Sequence, residues 1–310
     1  MSNQPCSTRL RVTFCGLEFP NPVFTASGTF SAKGSGKFYD YSRLGAVTVK
    51  GVSIDPWPGN AVPRIAETPC GMLNAIGLEN PGVECFVAEE LPLIRRGIGS
   101  AGTKIIVNVA GRRIEEYVKA AEILNAADVD MLELNISCPN ISEGGVSFGT
   151  SPLMAAKTTE AVRRVVTKPL IVKLTPNVTD ICEIAQAAES AGADALSLIN
   201  TLTGMRIDVK NRRFILANKT GGLSGPAVLP VALRMVYQAA RAVKLPIIGM
   251  GGIMTGCDAA EFLMAGASAV AVGTAALVDP CAPVRILDEL KAFMDENGFE
   301  NIEAIKTALK

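Results

Sequence analysis

Short aliphatic and β-branched runs recur along the chain, separated by amphipathic stretches, and their alternation predicts an architecture. The runs are PVFTAS from Pro22, AVTVKGV from Ala46, KIIVNVA from Lys104, MLELNIS from Met131, LIVKLTP from Leu170, ALSLINT from Ala195, PIIGMGG from Pro246 and AVAVGTA from Ala269, eight in all. From Ile114 onward the intervals carry apolar residues at three- and four-residue spacing, as in IEEYVKAAEILNAA, TTEAVRRVV, DICEIAQAAESAGA and CDAAEFLMAGA. That is the period of a helix burying one face. Strand alternating with helix means parallel strands joined by right-handed crossovers, and eight of them close a barrel. Two joints, AGADAL after Ser190 and AGASAV after Met264, stop a helix on glycine and restart a strand.

The opening segment VTFCGLEFPNPV reads as a small hairpin ahead of the first strand, placed to plug the barrel floor. Two connections, residues 53–103 and 202–225, are too long for simple βα loops, and long insertions at the C-terminal face are where barrels build pockets and lids. No linker divides the chain. The expectation is an α/β fold, a (β/α)8 TIM barrel with an N-terminal hairpin and long C-terminal-face insertions, spanning residues 1–310 as one domain.

Composition narrows the function. Hydrophobic residues make up 48% and aromatics only 5%, so the core must be built from Val, Ile, Leu and Ala, as strands buried on both faces require. Lys plus Arg equals Asp plus Glu at 30 each, leaving no net field to draw the chain to nucleic acid. A small molecule is the expected partner. No run approaches the ~20 apolar residues of a membrane helix, and the polar start MSNQPCSTRL lacks a signal core, so a cytoplasmic protein with no membrane contact is expected. The eight cysteines are scattered without a C-x-x-C pair, which suits reduced thiols rather than a disulfide or cluster framework.

Histidine is absent altogether. Ser-His-Asp triads, H-E-x-x-H zinc sites and His-ligated haem or iron are therefore excluded, and a general base must be Cys, Lys, Asp, Glu, Tyr or Ser. No metal site is expected. The predicted strand ends carry Lys50, Asn108, Asn135, Lys173 and Asn200, each polar within an apolar run. One such residue could be satisfied by its neighbours inside a barrel. Five on different strands, each costly to bury without a partner, make sense chiefly if a polar ligand satisfies them at one mouth. The last two strands end in GMGGI and VGTA, so Gly251, Gly252, Gly273 and Thr274 form a candidate phosphate cradle. GGLSGP from Gly221 reads as a further turn closing over the same phosphate or its chain. In LNISCPN, Cys138 precedes Pro139 and is placed on a stiff loop at the pocket mouth. The other seven cysteines read as small buried hydrophobes.

With NISCPN, TVKG, NAIGLENPG and INTLTG together, the sequence closely resembles the dihydroorotate dehydrogenases of pyrimidine biosynthesis over nearly its whole length. That family is an FMN-containing barrel which oxidises dihydroorotate to orotate on the way to UMP. ISEGGVSFGTSP and ILANKTGGLSGPAV are most similar to its NAD-linked class 1B catalytic subunits rather than the fumarate-using branch, and nothing resembles the membrane-binding extension of the quinone-using branch. The resemblance implies that Cys138 is the base, taking a proton from C5 of dihydroorotate while C6 delivers hydride to the flavin. It implies that Asn74, Ala75, Ile76, Gly77 and Leu78, with Asn135, Asn200 and Thr201, hold the pyrimidine ring. Lys50 would lie between flavin and substrate carboxylate, and Lys173 near flavin N1 and O2. Ser27, Gly51, Asn108, Asn135, Ile199, Gly225, Gly251, Gly252, Gly273 and Thr274 match the remaining FMN contacts. The implied partner is an electron-transfer subunit carrying FAD and a [2Fe–2S] cluster, with a homodimer of barrels inside a heterotetramer. The competing readings are a fumarate-using dihydroorotate dehydrogenase, another pyrimidine flavoenzyme such as a uracil-reducing barrel, a flavin-free sugar-phosphate isomerase or aldolase with a Schiff base on Lys173 or Lys50, and a non-enzymatic binding barrel.

Overall fold

The computed structural model describes residues 8–137, 142–143 and 146–309, without the side chains of 142–143 and 146–147. Eight parallel strands close into a barrel: β1 (Val23–Thr25), β2 (Ala46–Thr48), β3 (Lys104–Val109), β4 (Met131–Asn135), β5 (Leu170–Lys173), β6 (Ala195–Leu198), β7 (Ile247–Met250) and β8 (Ala269–Val272). They lie in sequence order, with β8 paired to β1. Each falls within one of the eight predicted runs. Of the polar residues that end those runs, Asn108, Asn135 and Lys173 lie within β3, β4 and β5, whereas Lys50 and Asn200 follow β2 and β6 by two residues.

Outside the barrel run α1 (Leu91–Ile98), α2 (Ile114–Ala126), α3 (Pro152–Arg163), α4 (Ile181–Ser190), α5 (Leu229–Ala242), α6 (Gly256–Met264) and α7 (Ala282–Glu296). Local chemistry starts them. Asp180 caps α4 by accepting from the Cys182 N–H at 2.8 Å, and Thr255 and Asp258 form a reciprocal capping box on α6. Helix α3 begins at Pro152 rather than at the predicted Thr158, because Ser151 caps it and proline suits the first turn. At the two predicted joints Gly192 and Gly266 adopt φ of +91° and +110°, conformations that favour glycine.

The barrel interior follows from the two-residue period of its strands. Val47, Val107, Leu132 and Val172 face outward and pack against the helices. Ile106, Met131, Ile171, Ala195, Ile248 and Ala269 face inward, with Phe24 and Ala46, as an apolar lower layer. The hairpin of Val12–Phe14 and Leu17–Phe19 closes this layer from below, as expected. Its Phe14 and Phe19 rings stack at 4.4 Å, and Phe19 lies 5.1 Å from Phe24. Two residues further along four strands the inward side chain turns polar, giving Asn108, Glu133, Lys173 and Ser197, all buried. A polar layer thus rests on an apolar floor.

The two long insertions meet in one antiparallel sheet: strands Ile65–Thr68 and Gly71–Asn74 of the first join Leu202–Met205 and Thr220–Ser224 of the second. Two expectations are corrected. GGLSGP accordingly contributes a strand, not a turn. Its glycines permit close approach, since a Cβ on Gly222 would stand 2.0 Å from Thr201 Oγ1. Of the seven cysteines expected to be buried, Cys6 lies outside the described residues, and none of the other six is buried; Cys70, Cys257 and Cys281 are exposed. They occupy a strand turn, the first turn of α6 and the start of α7, positions that face water. Among the described residues no helix is long and apolar enough to cross a membrane.

Candidate active site at the barrel mouth

Above the polar layer opens a cavity of about 640 Å³, walled on one side by the strand ends and on the other by the four-stranded sheet. Barrel strands and the turns after them bring in Ser27, Lys50, Gly51, Asn108, Asn135 and Lys173. The segment after β6 adds Ile199, Asn200 and Thr201, and the first insertion contributes the run from Asn74 to Leu78. The turns after β7 and β8 add Gly251, Gly252, Gly273 and Thr274. Residues drawn from distant parts of the sequence therefore share one cavity.

Two residues fall elsewhere. Gly225 stands behind the wall rather than on it: at φ +101° it ends the strand Thr220–Ser224, and a Cβ there would meet the Gly71 Cα at 2.8 Å. Cys138 lies outside the described residues. The chain reaches the cavity one residue before it, at Ser137, whose Oγ donates to the Lys173 carbonyl at 2.7 Å and whose N–H donates to Asn135 Oδ1 at 3.3 Å.

The polar layer is one hydrogen-bonded network. Asn108 Nδ2 donates to Glu133 Oε1 at 2.5 Å, and Ser197 Oγ donates to Glu133 Oε2 at 2.9 Å. Lys173 Nζ stands 3.7 Å from Glu133 Oε1 and donates to Ser27 Oγ at 3.0 Å. Asn135 Nδ2 donates to Asn108 Oδ1 at 3.3 Å, Asn200 Nδ2 to Asn135 Oδ1 at 3.4 Å, and the Thr201 N–H to Asn200 Oδ1 at 2.8 Å. The Tyr117 hydroxyl on α2 anchors β4 by donating to the Asn135 carbonyl at 2.8 Å. Glu133 is the residue that sequence reasoning passed over. Its signal was present, because it lies two positions before Asn135 on β4 and so shares the inward face.

The two lysines differ in setting. Lys173 is buried beside a carboxylate, whereas Lys50 has no ion-pair partner among the described residues. Burial pushes the Lys50 ammonium below its usual range, partly opposed by the charge of Glu79 and reinforced by Arg64. Those two form their own bridge on the cavity wall, Arg64 Nη2 to Glu79 Oε2 at 2.5 Å. In the turn after β7, Gly251 and Gly252 have φ of +127° and +86°, and their N–H groups donate to no acceptor among the described residues. Thr274 Oγ1 donates to Ser224 Oγ at 2.8 Å beside them.

A family model for dihydroorotate dehydrogenase matches residues 9–294. The chain belongs to that family. Among curated proteins it is 56% identical over 301 residues to the dihydroorotate dehydrogenase B (NAD(+)) catalytic subunit of Alkaliphilus metalliredigens, covering 97% of this chain and 98% of that one. It is 57% identical over 303 residues to the catalytic subunit of the same description from Lachnoclostridium phytofermentans, covering 96% and 99%. A third, from Geotalea uraniireducens, is 53% identical over 302 residues, covering 97% and 98%. Membership in this family of oxidoreductases agrees with a closed barrel whose polar strand ends meet at the C-terminal mouth, where barrel enzymes keep their chemistry.

Proposed function

We propose that this chain is the catalytic subunit of an NAD-linked dihydroorotate dehydrogenase, binding FMN and dihydroorotate together in the cavity at the barrel mouth. The observation that carries the reading is that one cavity brings together an unpartnered lysine, a row of carboxamides and unengaged glycine N–H groups. Orotate is planar, anionic and edged with amide-like groups. Lys50 offers its carboxylate a cation, while Asn74, Asn135 and Asn200 can each donate and accept to the ring.

The residues present fit FMN. Gly251 and Gly252 leave backbone donors open where an anion can approach, with Gly273 and Thr274 alongside. Gly51 permits close packing too, since a Cβ there would stand 2.8 Å from Asn108 Oδ1. Ser27, Lys50, Asn108, Asn135, Lys173 and Ile199 complete the cofactor's side, and Gly225 acts from behind by shaping the turn that carries Ser224. When bound, FMN supplies the hydride acceptor. Asn74 to Leu78, with Asn135, Asn200 and Thr201, orient the substrate, and the sheet joining the two insertions excludes water from above. Cys138, next along the chain from Ser137, takes the C5 proton as thiolate.

Electron delivery to NAD is assigned to a separate subunit. The relatives are described as catalytic subunits of NAD(+) enzymes, and this chain has neither a dinucleotide fingerprint nor cluster-spaced cysteines. FAD and the [2Fe–2S] cluster therefore belong to that partner, with two barrels pairing inside the heterotetramer. An absorbance spectrum of the purified chain, taken anaerobically with and without dihydroorotate, tests the reading. A flavin spectrum that bleaches on addition is expected, and a colourless protein or an unbleached flavin refutes it.

A further inference from the structure

Among the described residues Glu133 is the only acidic side chain that is buried, at 2% exposure. An isolated carboxylate there would cost several kcal/mol, and an apolar side chain could fill the same volume more cheaply. Its partners come from three other strands: Asn108 at 2.5 Å, Ser197 at 2.9 Å and Lys173 at 3.7 Å. Two of them, Asn108 and Lys173, line the cavity.

We propose that Glu133 is the positioning residue of this site, setting which way its carboxamides point and how much of the Lys173 charge the cofactor meets. The assignment rests on the FMN and orotate reading above. Orientation follows from donor counting. A carboxylate only accepts, so Asn108 must turn its NH2 toward Glu133 and its Oδ1 toward Asn135. Asn135 then donates to Asn108, and its own Oδ1 accepts from Asn200 Nδ2 and the Ser137 N–H. Asn200 Oδ1 in turn accepts from the Thr201 N–H. The pattern offered to a pyrimidine ring is thus set at the far end by a group beneath the cavity. Charge follows from the ion pair. Beside Glu133 the Lys173 ammonium presents the cavity with a dipole, and without the carboxylate it would present a full positive charge.

The test is Glu133→Gln, which keeps the side chain's size but can offer NH2 or oxygen to either neighbour. In the FMN-loaded chain the flavin midpoint potential should rise, because an uncompensated Lys173 favours the flavin form carrying more negative charge. Orotate affinity should fall about tenfold as the amide chain loses its fixed direction. Thermal unfolding of the apoprotein gives an independent readout across Glu133→Gln, Lys173→Met and the double variant. If the two groups balance each other, the double variant melts above Glu133→Gln, or folds where that variant does not, since no unpaired charge remains. A folded Glu133→Gln protein with unchanged potential and orotate affinity overturns the inference while leaving the functional reading standing. So does a double variant no more stable than the single one. A wild-type chain that takes up neither FMN nor orotate overturns the functional reading, and this assignment with it.

Discussion

Replacing Lys50 by methionine separates what the residue does for the ligand from what it costs the fold. The ammonium is partly buried at the cavity wall with no ion-pair partner among the described residues, and burial lowers its pKa. Below that lowered pKa the folded protein holds a desolvated cation that the unfolded chain hydrates freely, so folding carries the penalty in full. As pH rises from the lowered value toward the ordinary ~10.4, only the unfolded state keeps the proton, and stability recovers. Lys50→Met should therefore raise the Tm of the ligand-free chain at neutral pH, with the gap to wild type closing at alkaline pH. For the ligand the sign reverses. A net 1.5–3 kcal/mol for one charge-assisted contact corresponds to roughly 10- to 100-fold weaker orotate binding. Calorimetric unfolding across pH and isothermal titration with orotate make the two measurements. Orotate affinity within about threefold of wild type would remove Lys50 from the substrate carboxylate, and a lower neutral-pH Tm would refute the burial argument.

Cys138→Ala should keep bound FMN but slow anaerobic flavin reduction by about 10²–10⁴-fold, while Cys138→Ser regains activity only at higher pH because an alkoxide forms less readily than a thiolate; stopped-flow reduction across pH checks both. Phe19→Ala, deep in the barrel floor and stacked on Phe14, should cost about 3–5 kcal/mol in denaturant unfolding, yet leave FMN content unchanged because the floor lies at the far end from the mouth. The purified chain supplied with dihydroorotate and NAD should form NADH only slowly, and adding the electron-transfer subunit should accelerate it; robust NADH formation by the chain alone would contradict a divided electron path.

Much of this protein is legible along the chain because the rules that build its elements act over a few residues. A short β-branched run in Lys104–Val109 and a period of three to four in Ile114–Ala126 are enough to predict a strand and then a helix. Lys50, Asn108, Asn135, Lys173 and Asn200 stand out because a polar side chain ending an apolar strand violates that local pattern. VTFCGLEFPNPV is legible as a hairpin ahead of the first strand, and the structure sets its Phe14 and Phe19 into the barrel floor. What the chain could not announce are relations between strands. Glu133 looks like one charge in MLELN until barrel closure and register bring Asn108, Ser197 and Lys173 around its two oxygens. The sheet that roofs the cavity pairs Asn74 with Gly222, partners separated by most of the barrel in sequence. The separate settings of Lys50 and Lys173 likewise depend on closure, which brings a carboxylate within ion-pair reach of Lys173 and not of Lys50. Periodicity is a property of neighbours along the chain, so the sequence alone determined the strands, the helices and the polar ends; which of those ends touch, and which charge is left for a ligand, is a property of closure that only the tertiary structure decided.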